Sequence, residues 1–326
     1  MNSWVQTVKD SFWASRPISW INTSAPFFLG YLLGIGQLDA TLWIGTFYFL
    51  IPYNLMLYGV NDIFDYESDI KNPRKGQLEG AVIARARHRR LAVAIIVTNL
   101  PFIIYFLLQG SLAARIWFVF LIFMNLAYSL RGLRFKEVPL LDSFTSSTHF
   151  YSPLAYGLLL SGSTNLYWPA LIGFIAWGMA SHAFGAVQDI PYDREAHIGS
   201  LGTVFGMKPT LWICTGLYAL AAIIPVLIYG YFGLVAGVFL LLYAVNSALY
   251  LTLTNEHQAP LVNRGWKQFL WLNILMGFWI TQLLLLAYNP FDLNSSIITN
   301  ITFLLYAFGA ISLILSVRQL LRARYA

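Results

Sequence analysis

Charge is what this chain has least of. Only 10% of its 326 residues are Asp, Glu, Lys or Arg, where a soluble domain carries about a quarter. With 58% hydrophobic residues alongside, that scarcity excludes a water-soluble globule, and the same composition excludes disordered and fibrous classes. Cysteine is almost absent. Cys214 alone makes neither an intrachain disulfide nor a cysteine-based metal site, so it reads as packing. No cleavable leader is expected: Arg16 and Pro17 run straight into an apolar stretch with no small-residue cleavage site, so that stretch should stay as a membrane helix.

What fills the chain instead is apolar sequence in blocks of roughly 20 residues, the length that crosses a bilayer as a helix. Ten such blocks occur, at about 17–36, 41–60, 91–109, 112–130, 141–161, 167–187, 209–229, 231–251, 268–288 and 296–317. The expectation is an all-α polytopic membrane protein with no separate soluble domain. The fifth block departs from the others. It carries Asp142, His149 and several Ser and Thr, so it should face protein rather than lipid.

The few charges are sorted. Of 20 Lys and Arg, all but Arg115 precede the first block, follow an even-numbered block or trail the tenth. By the positive-inside bias, both termini and those connections are cytoplasmic. The formal charge of +6 therefore reports topology and contact with anionic membrane lipid, and nucleic acid is set aside as a partner. Acids are sorted as well. Asp62, Asp65, Glu67 and Asp69 end the second block, and Asp189, Asp193 and Glu195 end the sixth, with 127 residues from Asp62 to Asp189. That offset hints at two related halves, an arrangement common in membrane folds.

Helical spacing puts Asp62, Asp65 and Asp69 on one face across about two turns. Three carboxylates in that arrangement repel one another, so a cation belongs there. Hard divalent ions, Mg²⁺ above all, bind through one or two carboxylates together with substrate phosphates. The second cluster repeats the device with Asp189 and Asp193 four apart, and Pro191 between them fits a first helical turn or a kink. Two such clusters facing each other would hold more than one metal and bridge a diphosphate. His197, just beyond, reads as a loop histidine.

A third element, Tyr128-Ser129-Leu130-Arg131-Gly132-Leu133-Arg134-Phe135-Lys136, supplies the opposite charge. Arg134 offers a bidentate fork and Lys136 a compact point charge, which suits both for a leaving diphosphate. Arg74 and Lys75 lie near the first acidic cluster by sequence and can assist. Asn54, two helical turns before Asn61, points to the same face and is placed to bond metal-bound water or phosphate.

These motifs resemble the UbiA superfamily of intramembrane prenyltransferases: Asn-Asp-x-x-Asp-x-x-x-Asp at 61–69, the Asp-x-x-x-Asp of 189–193 continuing to Ala196, and the Tyr-Ser to Pro-x-x-Asp run at 128–142. Longer runs at 15–27, 51–76, 141–150 and 185–206 are similar to the bacterial lycopene elongase branch. The resemblance implies nine transmembrane helices around a central cavity, a prenyltransferase domain over 1–290, and two Mg²⁺ ions on Asn61, Asp62, Asp65, Asp69, Asp189 and Asp193. A tenth helix and basic tail, 291–326, exceed the family's nine. The implied reaction is Mg²⁺-dependent prenyl transfer from dimethylallyl diphosphate to both ends of lycopene, giving C45 and C50 carotenoids.

Chemistry fits that expectation. A carbocation freed from its diphosphate needs an apolar surround with aromatic faces; Tyr53, Tyr58, Phe64 and Tyr128 lie near the motifs by sequence, and Tyr128 is the ring expected to serve. One alternative is a relative that prenylates an aromatic quinone or chlorin precursor with a longer donor. An ion transporter is the other, but the acids gather at one membrane face, which disfavours a pathway.

Overall fold

The computed structural model describes residues 3–70 and 81–325. Arg74 and Lys75 lie outside the described residues. Among those described there is no strand, as expected of a chain whose backbone must satisfy its own hydrogen bonds in lipid.

The chain divides into two compact units, Met1–Leu166 and Tyr167–Ala326. In the first, helices run as α1 Ser3–Ala14, α2 Ile21–Ile35, α3 Ala40–Leu50, α4 Pro52–Phe64, the single turn α5 Tyr66–Asp69, α6 His88–Leu107, α7 Leu112–Ser129 and α8 Leu141–Leu160. The second holds α9 Trp168–Val187, the short α10 Ile190–Glu195 and α11 Leu201–Phe205, then α12 Met207–Ile228, α13 Gly230–Ala248, α14 Asn263–Tyr288 and α15 Ser295–Tyr325.

Each of the ten apolar blocks becomes a helix, with two differences of detail. The first begins at Ile21 rather than 17, because Pro17–Ser19 forms a 3₁₀ turn and the axis bends by 65° between Trp4–Ser19 and Ile21–Ile35. The second is broken at Ile51, where Pro52 lacks the N–H that would continue the ladder. By length and composition, eight described helical segments are fit to cross a membrane, or nine if the bent pair is one span. The long α8 is not apolar enough to be counted among them.

That exception has its cause in packing. Asp142, Ser143, Thr145, Ser147, Thr148, His149 and Ser152 of α8 are all buried, with α2 and α7 against the helix. Polar side chains tolerated at membrane depth face protein, as its composition predicts. Small residues let α2 approach closely: a Cβ on Gly157 would lie 2.6 Å from the Phe27 carbonyl oxygen and 2.7 Å from the Tyr31 amide nitrogen. In lipid no water is expelled between helices, so such close packing carries much of the association. By contrast, Val93, Ile96, Val97, Leu100 and Ile104 of α6 are exposed, the composition of a lipid-facing stripe.

Rings fill the core of the first unit, where Phe27 stacks on Phe49 at 4.9 Å and Phe118 meets Tyr156 at 5.0 Å. In the second unit Phe239 stacks on Trp279 at 5.3 Å. There α15 packs on α13 and α14, with Gln319 Nε2 donating to Gln268 Oε1 at 2.9 Å.

Candidate active site

The first acidic motif continues helically past the end of α4. Asp65 donates its amide to the Asn61 carbonyl and Asp69 to the Asp65 carbonyl, each at 2.9 Å. Asp62, Asp65 and Asp69 are 2%, 6% and 8% exposed. Buried carboxylates demand compensation, and it comes from elsewhere in the unit. Lys136 pairs with Asp65, Arg134 Nη2 lies 3.6 Å from Asp65 Oδ1, and Asn61 Nδ2 donates to Asp65 Oδ2 at 2.7 Å and to Ser129 Oγ at 3.0 Å. The sequence-derived residues Asn61, Asp65, Arg134 and Lys136 therefore meet.

Arg134 also pairs with Glu137, and that guanidinium holds the Glu137 carboxyl below the usual carboxylate range. Arg134 itself takes the left-handed backbone conformation, φ 43°, which a non-glycine residue adopts at a cost of roughly 1–3 kcal/mol.

Asp62 has a partner that motif reading missed. Arg16 Nη2 donates to Asp62 Oδ1 at 2.6 Å, with Arg16 only 6% exposed and its guanidinium carbon 5.1 Å from the centre of the Tyr58 ring. Arg16, like Arg134, is left-handed, at φ 53°. The one sequence signal was an arginine directly before Pro17 at the mouth of an apolar block. That signal gives no partner, because the pair closes across 46 residues.

Two further expected participants have partners within the first unit. Asn54 Nδ2 lies 2.7 Å from Thr23 Oγ1, 2.8 Å from the Phe49 carbonyl and 3.0 Å from that of Leu50. Its donors thus serve the carbonyls freed at the α3/α4 break, while its Oδ1 has no partner among the described residues. Tyr128 meets the His149 ring edge-on, at 5.5 Å and 88°, and Tyr53 Oη lies 3.3 Å from His149 Nδ1.

In the second unit, Asp189 occupies the N-cap position of α10 without a side-chain capping bond, and Pro191 lies in that helix's first turn, so the proline starts a helix rather than kinking one. Asp193 donates its amide to the Asp189 carbonyl at 2.9 Å. Both aspartates are half-buried and His197 is exposed. Arg194 pairs with Glu256 and donates to the Thr203 carbonyl at 3.2 Å, while Asn263 Nδ2 donates to Gln188 Oε1 at 2.6 Å. These bonds fix the backbone around the motif. Among the described residues no three of His, Cys, Asp and Glu converge tightly enough to hold a metal unaided. Mg²⁺ does not ask for that, since it is commonly held by one or two carboxylates plus substrate phosphates.

Comparison with known proteins follows the same lines. Residues 23–274 match the UbiA prenyltransferase family. The chain is 46% identical over 276 residues to the C(50) beta-cyclic carotenoids biosynthesis protein LbtBC of Dietzia sp., a match that covers 84% of this chain and 64% of that protein, so the chain spans less than two thirds of that relative's length. It is 43% identical over 274 residues to a lycopene elongase/hydratase of Corynebacterium glutamicum, covering 83% of this chain and 95% of the relative. Among solved structures, a UbiA homologue from Archaeoglobus fulgidus bound to DMAPP and Mg²⁺ superposes with a TM-score of 0.60 at 15% identity, covering 84% of this chain and 99% of that one.

Proposed function

Since the chain belongs to the UbiA prenyltransferase family, we propose that it is a membrane-embedded prenyltransferase moving a dimethylallyl group from its diphosphate onto the two ends of lycopene, giving C45 and C50 products. The acceptor rests on the relatives called lycopene elongase/hydratase. The donor and the metal rest on the motifs and on the A. fulgidus homologue with DMAPP and Mg²⁺. The observation that carries the reading is the meeting of Lys136 and Arg134 on a buried carboxylate, an electrostatic setting made for a polyanion and its counter-ions.

The donor set fits Mg²⁺. Asn61, Asp62, Asp65 and Asp69 in the first unit and Asp189 and Asp193 in the second offer only oxygen and amide ligands, the hard donors this ion prefers. When bound, Mg²⁺ withdraws charge from the diphosphate oxygens and makes that group a better leaving group. The chain's own residues do the rest. Lys136 and Arg134 neutralise charge on the departing diphosphate; Arg16 holds the Asp62 carboxylate in place; Asn61 orients the Asp65 carboxylate. Asn54, through the Oδ1 that its own unit leaves without a partner among the described residues, and Arg74 and Lys75 stay in the diphosphate set on sequence grounds.

Sidedness follows from charge. We place both termini and the motif-bearing connections in the cytoplasm, where a water-soluble diphosphate donor is available. Residues 1–290 form the prenyltransferase domain in this reading and 291–326 add a further helix with a basic tail.

Expression in a lycopene-accumulating bacterium, followed by mass analysis of the extracted pigment, tests the assignment. Products heavier by one and two C5 units are expected. Unchanged lycopene above a membrane that contains the folded protein would move the acceptor to a quinone or chlorin precursor.

A further inference from the structure

The proposed transfer ends on a tertiary carbocation, which must lose a proton or capture water, and none of the groups described above accepts that proton. We infer that His149 is the base, held in place by Tyr53; this assignment rests on the prenyl-transfer reading.

His149 is a titratable group in an unusual place. It sits in the middle of α8, 3% exposed, where an intramembrane ionisable residue is by default functional. Tyr53 Oη lies 3.3 Å from its Nδ1 and the Tyr128 ring stands edge-on to it. Tyr53 precedes Asp62 by nine residues along α4, with the chain turning helically throughout. At about 1.5 Å per residue, that sets the Tyr53–His149 pair roughly 13 Å deeper than the acidic motif. A base belongs at that end. The diphosphate is held by the carboxylate end, and the hydrocarbon whose cation must be quenched extends away from it.

The surroundings are polar where an apolar core would serve packing better. Thr145 and Ser152 share the His149 face of α8, four residues before it and three after. Their hydroxyls are buried with no hydrogen-bond partner among the described residues. Buried polar atoms are normally satisfied, so this group suits a polar guest, and the water that captures a cation is such a guest.

The chemistry balances. The allylic C–O bond breaks with its electron pair on the diphosphate oxygen, and the π pair of the acceptor's terminal double bond forms the new C–C bond, leaving the tertiary cation. In one outcome a C–H pair beside the cation becomes a new double bond and the proton goes to His149 Nε2. In the other a water oxygen bonds to the cation and the resulting oxonium gives its proton to Nε2. Both need Nδ1–H to donate to Tyr53 Oη, which leaves the lone pair on Nε2. The imidazolium then returns the proton to bulk water before the next turnover.

The test is prenylation of lycopene by membranes carrying the full chain, run in H₂¹⁸O, with products resolved by mass and dimethylallyl diphosphate titrated. For His149→Gln, product formation is expected to fall about 100-fold or more, the scale of a lost general base. Donor KM should stay within about threefold, and the ¹⁸O-containing share of the residual product should change. A rate and an ¹⁸O share equal to wild type overturn the assignment. Where His149→Gln fails to accumulate, Tyr53→Phe decides: it removes one oxygen, and an unchanged rate with an unchanged product ratio overturns the pairing, whereas a rate loss at constant donor KM supports it. A wild-type chain that leaves lycopene untouched overturns the transfer reading itself, and the base assignment with it.

Discussion

The two acidic motifs of this chain have nearly the same sequence device and very different surroundings. In the first unit the aspartates are buried, and their charge is met by cations from distant segments: Arg16 ahead of α2, and Arg134 and Lys136 between α7 and α8. In the second unit Asp189, just before a six-residue helix, and Asp193, on it, are half-buried, and the motif's own Arg194 is engaged by Glu256. The first motif is therefore part of the fold's electrostatic balance as well as, in the reading proposed above, of its chemistry. The second is the proposed ligand set in a segment braced by its neighbours. The proposed ligand role and the structural role are separable in the second and fused in the first.

The sharpest way to break that contrast is to remove one carboxylate from each. Asp62→Ala should cost about 3–5 kcal/mol of stability, because it leaves Arg16 charged and buried without its counter-ion, and prenyl transfer should vanish with it. Asp189→Ala should lose transfer by more than about 100-fold while its thermal midpoint in detergent stays close to wild type. Equal destabilisation of the two would erase the distinction drawn here.

Smaller effects sharpen it. Lys136→Ala and Arg134→Ala each remove a charged hydrogen bond, worth roughly 1.5–3 kcal/mol, so the KM for dimethylallyl diphosphate should rise tenfold or more with the protein still folded. An unchanged donor KM would return this loop to membrane anchoring. Arg194→Ala should do least. Its side chain is 44% exposed and that of Glu256 41%, and such a pair contributes about 0–1 kcal/mol, fading in high salt. A midpoint shift as large as that of Asp62→Ala would contradict this ranking.

Much of this was legible in the sequence, for reasons that can be named. Helical structure in every apolar block followed from the composition, because lipid leaves the backbone no other solution. The inward-facing α8 followed from its Ser, Thr, Asp142 and His149, and the Asp62, Asp65, Asp69 ladder from its helical spacing. Local patterns carried each of these. Arg16 was not legible, since periodicity says nothing of a partner 46 residues away. Asn54 was read on the correct helix, but its donors went to the carbonyls of Phe49 and Leu50. A proline-induced break frees acceptors that a same-face argument does not count. The Tyr53–His149 contact likewise joins α4 to α8 across 96 residues, and only the packed unit reveals it.

The central claim is that the compensated carboxylates of the first motif form a Mg²⁺-dependent diphosphate site. Calorimetric titration of purified protein with dimethylallyl diphosphate, with and without Mg²⁺, on wild type and Asp65→Asn, tests it most directly. Binding that requires Mg²⁺ and is lost in Asp65→Asn is the result predicted. Binding of equal affinity without the metal, or undiminished in the variant, would contradict it.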